Sequence, residues 1–183
     1  VTDGTGTLRA FRHAGVDLTG KKILFLGAGG AVRAVAFALA LEPGVAGMTI
    51  LARDSGKAAL LAHDLEDAGG CPVRGGDLSA QIEGAMADHD IVVQGTPVGM
   101  YPRHEGAMCI PEGMLRRSHI VFDMVYRPLK TTFIQEAEAA GLVQLEQAAL
   151  DALRRASLEG GNLGGHRGLT PQRALERTAG PDR

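Results

Sequence analysis

The sequence predicts a doubly wound α/β domain built on a mostly parallel sheet, and three observations carry that prediction. Short, continuously apolar runs alternate with longer helical stretches from Lys22 to Ala140, as parallel strands require when each pair is joined by a crossover helix. Aromatic residues make up only 4% of the chain, Trp is absent and glycine occurs 26 times. The core must therefore pack from Ala, Val, Leu and Ile between tight turns, which suits layered α/β architecture better than a β-sandwich. Finally, 183 residues with 45% hydrophobic content are enough for one domain with one core.

Thr7 to Ala14 carries a weak helical pattern that Gly15 would stop. Ile23-Leu24-Phe25-Leu26 reads as a buried strand breaking into Gly27-Ala28-Gly29-Gly30, and Ala31 to Leu41 as an alanine-rich helix. Met48 to Leu51 predicts a second strand and Lys57 to Ala68 its helix. Pro72-Val73-Arg74 predicts a short third strand, Ser79 to Met86 a helix, and Asp90 to Val93 a fourth strand. His119 to Phe122 predicts a fifth strand, followed by a helix from Thr132 to Ala140. Beyond Gly141, Leu142 to Leu145 predicts a last strand and Gln147 to Leu158 a helix; the glycine-rich stretch Gly160 to Gly168 opens a tail expected to be mobile, with at most a short helix over Pro171 to Arg177. The division is residues 1–20 as helix and linker, 21–158 as the main domain and 159–183 as tail.

A formal charge of −2 and a pI near 6.3 show no basic excess to draw nucleic acid or an anionic membrane. The longest apolar run, Val35 to Leu41, is far short of the roughly 20 residues that span a bilayer. Cys71 and Cys109 fit no metal or redox spacing and predict reduced thiols in the cytoplasm. His13, His63, His89, His104, His119 and His166 lack the spacing of a ligand set, so no metal is expected, and most should lie on the surface or in loops. No nucleophile-elbow sequence is present.

Gly27-Ala28-Gly29-Gly30-Ala31-Val32 lies between the first strand and its helix. Glycines there permit a tight turn and close approach of a pyrophosphate to backbone N–H groups, and the helix N-terminus adds partial positive charge. The second strand about 20 residues on completes the context of a Rossmann-type dinucleotide-binding domain. At the end of that strand, where NAD-binding domains place an acid on the ribose 2′-OH, this chain carries Ala52 and Arg53. An arginine pairs with a 2′-phosphate, so NADP is favoured. Asp54 leaves NAD open. Arg33 suits either the cofactor phosphates or a solvent-facing helix turn.

Four ordered motifs over residues 2 to 131 resemble the shikimate dehydrogenase family. Thr2-Asp3-Gly4-Thr5-Gly6 resembles its N-T-D-G-x-G segment, and Gly27 to Ala31 followed by Arg33 its nucleotide loop. Thr96-Pro97-Val98-Gly99-Met100-Tyr101-Pro102 resembles N-A-T-P-V-G-M-Y-P, and Asp123 to Thr131 resembles D-x-V-Y-x-P-x-x-T. The resemblance implies NADPH-dependent, reversible reduction of 3-dehydroshikimate to shikimate, in the pathway to aromatic amino acids. It implies substrate contact and a catalytic role for Asp3, substrate contact for Tyr126, and cofactor contacts for Gly27, Ala28, Gly29, Gly30, Ala31, Arg33, Ala52, Arg53, Thr96, Pro97, Val98, Met100 and Val125. Asp3 also suits a helix cap before Gly4 to Leu8.

The family's catalytic lysine and its serine-bearing carboxylate site lie in a domain preceding the T-D-G segment, where this chain begins. Lys21 and Lys22 precede the first strand and match no motif. The chain, which starts at Val1, is therefore expected to be a piece that binds cofactor and needs an absent N-terminal substrate domain for turnover. Gln94-Gly95 stands where the family has Asn-Ala, and Gln144, Gln147 and Gln172 lack the context of the family's late G-x-x-M-L-V-x-Q segment. Two alternatives remain: an NAD-preferring quinate/shikimate dehydrogenase, and a non-catalytic NADP-binding module.

Overall fold

The computed structural model describes residues 2–145. Six parallel strands form one sheet: β1 (Lys22–Leu26), β2 (Gly47–Ala52), β3 (Val73–Asp77), β4 (Ile91–Gln94), β5 (Ile120–Asp123) and β6 (Val143–Gln144). Their order across the sheet is β3-β2-β1-β4-β5-β6, so the chain winds outward in one direction from β1, then returns to the centre and winds outward in the other. The fold class read from the sequence is the one observed. The expected helix over Gln147–Leu158 and the tail beyond it lie outside the described residues.

Alternate residues of each strand face opposite layers, as the two-residue repeat dictates. Ile23, Phe25, Ile50, Ile91, Val93 and Phe122 pack into a core beneath three helices, α1 (Thr2–His13), α2 (Gly30–Ala40) and α3 (Ser55–Asp67). Leu24, Leu26, Leu51, Val92 and Val121 face the other layer, formed by α4 (Leu78–Asp88) and α5 (Thr132–Ala139). Burying each large aliphatic or aromatic side chain contributes about 1.5–3 kcal/mol, and both faces of the central strands are used. That is why β1 and β4 read as unbroken apolar runs.

Two elements differ from expectation. Helix α1 begins at Thr2 instead of Thr7, because Gly4 lets it lie against α2: a Cβ at Gly4 would sit 2.8 Å from both the Ala34 carbonyl oxygen and the Ala38 Cβ. Phe11, fully buried, anchors the helix edge-on against Phe122, with ring centroids 6.3 Å apart. Strand β3 runs on through Gly75, Gly76 and Asp77, residues with low strand propensity. The compensation is packing, since a Cβ at Gly75 would lie 2.4 Å from the Ala58 carbonyl oxygen in α3.

At the amino edge of the sheet, the C-terminal carbonyls of α4 are closed by side chains. The Nδ1 of His89 meets the Ala85 oxygen at 2.8 Å, Nε2 of His119 meets the Met86 oxygen at 3.0 Å, and Arg116 donates to the Ala87 oxygen at 3.2 Å. His119 is buried and His89 half-buried, both in the connections between elements. His13, His63 and His104 are exposed. Among the described residues no group of His, Cys, Asp and Glu could hold a metal ion, and no helix is long and apolar enough to cross a membrane.

Two glycine substitutions should separate packing from backbone entropy. Gly75→Ala forces β3 off α3 and should lower stability by about 1–3 kcal/mol. Gly84→Ala in α4, with nothing within 4 Å of the added methyl, should raise it by about 0.5–1 kcal/mol. Urea unfolding of both variants checks the pair; equal effects would contradict the packing described.

Candidate functional site

The two directions of winding part between β1 and β4, and open α/β sheets bind ligands at the carboxyl ends of the strands on either side of such a point. Leu26 and Gln94, the last residues of the two strands, are neighbours in register. From them leave the turns Gly27–Gly30 and Gly95–Met100. The Gly27 N–H donates to the Leu51 oxygen at 2.7 Å and the Gly95 N–H to the Leu26 oxygen at 2.9 Å.

Both turns need glycine. Gly27 has φ 106°, a conformation that side chains disfavour, and a Cβ there would lie 3.0 Å from the Gly95 carbonyl oxygen. A Cβ on Gly95 would lie 2.2 Å from the Val32 Cγ2. The result is a cleft of about 300 Å³ floored by Gly27, Ala28 and Gly29. One wall is Ala52 and Arg53 with Asp54 and Lys57; the other is Gly95, Thr96, Pro97 and Val98, with Leu78 and Cys109 completing the lining.

Helix caps distinguish this cleft from the other turns. Asp54, Asp77 and Thr131 cap α3, α4 and α5 by accepting from Lys57, Ala80 and Ile134 N–H groups. Helix α2 is preceded by Gly29, which offers no side-chain cap. The N–H groups of its first turn have no intrahelical acceptor, and at Gly29 and Gly30 no other part of the fold comes within 4 Å of where a Cβ would be. Donors and partial positive charge meet open space, the requirement for an anion such as a pyrophosphate.

The structure thus brings together eight of the expected cofactor residues: Gly27, Ala28, Gly29, Ala52, Arg53, Thr96, Pro97 and Val98. Gly30 and Ala31 follow at the exposed head of α2. Arg33 turns away to α3, with its guanidinium 2.6 Å from the Asp64 carboxylate and over the Phe37 ring, which is the solvent-facing reading of that residue. Arg53 is exposed and has no carboxylate partner among the described residues. Met100 and Val125 lie outside the cleft lining, and Val125 is buried. Asp3 lies within the first turn of α1, not ahead of it as a cap. Tyr126 is 65% exposed on the loop after β5, tied to the Met100 turn by the Tyr101 N–H donating to the Arg127 oxygen.

Sequence reasoning did not single out Lys57, Leu78, Gly95 or Cys109 as site residues, and it weighed Asp54 only as a possible ribose ligand. Asp54 instead spends one oxygen capping α3 at 3.1 Å and holds the other 3.6 Å from the Lys57 ammonium. The aspartate-to-lysine spacing at a helix start could have revealed that cap. Cys109 arrives from the long β4–β5 connection, where no pattern marks it; burial pushes its thiol well above the usual range, so it stays protonated. Asp123, at the end of β5, accepts from the Thr131 hydroxyl at 2.5 Å and the Val125 N–H at 2.9 Å. Burial pushes its carboxyl up to about 6, against the opposing pull of those two donors.

Fold and cleft define the class: a Rossmann-type α/β domain with the architecture of dinucleotide-binding domains. The chain is 39% identical over 142 residues to a shikimate dehydrogenase (NADP(+)) of Methanothermobacter thermautotrophicus, which covers 78% of this chain and 49% of the relative. It superposes on Listeria monocytogenes shikimate 5-dehydrogenase in complex with shikimate and NAD with a TM-score of 0.73 at 33% identity, over 83% of this chain and 56% of that one. For the Thermus thermophilus shikimate 5-dehydrogenase in complex with NADP(H) and shikimate the TM-score is 0.63 at 30% identity, over 82% and 62%. No family model matches. Over the matched residues the chain belongs to the shikimate dehydrogenase family, and it spans about half the length of the curated relatives it matches.

The carboxyl of Asp123 supplies a pH test. Its raised value contributes stability in full below about pH 3.8, and that contribution is lost as the pH rises through about 6. Asp123→Asn lacks this loss, so its stability relative to wild type should climb between pH 4 and pH 7 by on the order of 2–3 kcal/mol. Urea midpoints across that range check it; a flat difference would mean the carboxyl is not desolvated.

Proposed function

We propose that this chain is the NADP-binding half of a shikimate dehydrogenase-type oxidoreductase, acting in reversible reduction of 3-dehydroshikimate to shikimate. The observation that carries the reading is the uncapped α2 N-terminus facing a cleft whose wall presents Arg53, which has no carboxylate partner among the described residues. First-turn N–H groups of α2 hold the pyrophosphate. Arg53, with Lys57 one helix turn on, meets the 2′-phosphate, while Asp54, committed to its cap, is withdrawn from the ribose 2′-OH. That arrangement favours NADP over NAD. Thr96, Pro97 and Val98 would flank the opposite end of the ligand, and by the family resemblance Met100 and Val125 belong to the same cofactor site.

When bound, the nicotinamide supplies hydride to the ketone carbon. The oxygen of that ketone needs a proton donor, and Lys21 and Lys22 stand at the amino edge of the sheet, away from the cleft. The family resemblance assigns proton transfer to a lysine of a further domain, with Asp3 and Tyr126 contributing substrate contacts from this side. We assign 21–158 to the dinucleotide unit and 1–20 to the helix that joins it to that domain. Free Cys71 and Cys109 suit a reducing compartment, and we place the protein in the cytoplasm.

Calorimetric titration with NADPH and NADH tests the cofactor. Arg53→Ala should weaken NADPH about tenfold to a hundredfold, the worth of a charge-assisted contact, and leave NADH within about twofold of wild type. Unchanged NADPH binding with tighter NADH would overturn the assignment. Oxidation of shikimate by the isolated chain should be undetectable; steady turnover would show that the catalytic groups are all present.

A further inference from the structure

Gln94 is the last residue of β4 and only 1% exposed, yet its position is one where the neighbouring strand places Leu26. A buried amide costs free energy unless its donors and acceptor are used. Here both ends are spent on the turn that follows. Its Nε2 donates to the Thr96 oxygen at 3.2 Å and to the Val98 oxygen at 2.9 Å. Its Oε1 accepts from the Thr96 N–H at 2.8 Å and the Thr96 hydroxyl at 2.9 Å. The same hydroxyl accepts from the Val98 N–H at 3.2 Å. With two donors and two acceptor sites, the amide is saturated.

Resting on the dinucleotide reading above, we propose that Gln94 is a positioning residue that sets the cleft wall formed by Thr96, Pro97 and Val98, and so governs affinity for the nicotinamide end of the cofactor. The side chain does not line the cleft; it acts through the three residues that do. A hydrophobic residue there, as at Val92 and Val93 before it, would fill the core equally well but would leave the Thr96 and Val98 groups without partners. Gly95 completes the device. Because its missing Cβ is what admits Val32, the turn closes onto the head of α2, and the amide then holds the far side of that turn. On that reading the adenosine end would lie against Ala52 and Arg53, which line the cleft with this wall. Loss of the amide must therefore be felt at one end of the ligand only.

The test uses the whole chain and two ligands, NADPH and adenosine 2′,5′-bisphosphate, which lacks the nicotinamide half. Gln94→Met keeps the volume and removes every hydrogen bond; Gln94→Asn keeps the amide on a stem one methylene too short. Each should raise the NADPH dissociation constant about tenfold, leave the bisphosphate within about twofold of wild type, and speed amide exchange at Thr96 and Val98. Should the Met variant fail to fold, the Asn variant decides. NADPH binding like wild type in a folded variant overturns the proposal, as does an equal loss for both ligands, and so does failure of both variants to fold. Wild-type chain that binds neither ligand overturns the dinucleotide reading itself, and this inference with it.

Discussion

Two backbones approach each other at the carboxyl ends of β1 and β4 more closely than side chains would allow, and the rest of the site depends on that approach. Gly27 must turn with positive φ against the Gly95 carbonyl, and Gly95 must admit Val32. Once both turns are glycine, the first turn of α2 lies directly over the strand ends, and its free N–H groups face a cleft. Larger residues at either position would separate the helix from the sheet at the one place where the winding direction changes. Glycine here is a packing requirement before it is a binding one.

The distribution of caps extends the same logic. Asp54, Asp77 and Thr131 close the starts of α3, α4 and α5, each contributing about 1 kcal/mol of helix stability, whereas α2 forgoes that gain. The two arginines near the cleft divide similarly. Arg33 is tied to Asp64 and Phe37 on the outer surface, while Arg53 stands exposed at the end of β2. Charge alone did not distinguish them; their neighbours do.

Most of the architecture was legible because β1, β2, β4 and β5 are buried on both faces and so appear as uninterrupted apolar runs. The glycine floor, Ala52-Arg53 and Thr96-Pro97-Val98 were legible for a related reason, since strand-end turns follow directly from where the strands stop. What escaped was set by contacts between distant segments. Glycines in β3 read as loop until Ala58 is seen pressing on Gly75, and the start of α1 depends on Ala34 and Ala38 of α2. Cys109 enters the cleft from a connection with no periodicity. Gln94 looked like a mere departure from the Asn of related sequences, because the value of its amide lies in the turn it organises.

The closed carbonyl end of α4 has a separate consequence. His119 donates from Nε2 to Met86, so its Nδ1 is the acceptor for the Arg116 N–H at 3.0 Å; His89 donates to Ala85, and its Nε2 lies 2.8 Å from the Thr49 hydroxyl. The His119 arrangement holds only for a neutral ring, since its Nδ1 must accept, and burial lowers the pKa values of both histidines. As the pH falls below about 6.5, the unfolded chain gains protons that the folded one resists. The histidine share of the pH dependence is thus set at the amino edge of the sheet, and that of Asp123 at the carboxyl edge, where the cleft lies. Helix α4 spans both edges, with Leu78 in the cleft lining and its last carbonyls on the two histidines, so the charge state of those rings bears on a helix that also walls the cleft.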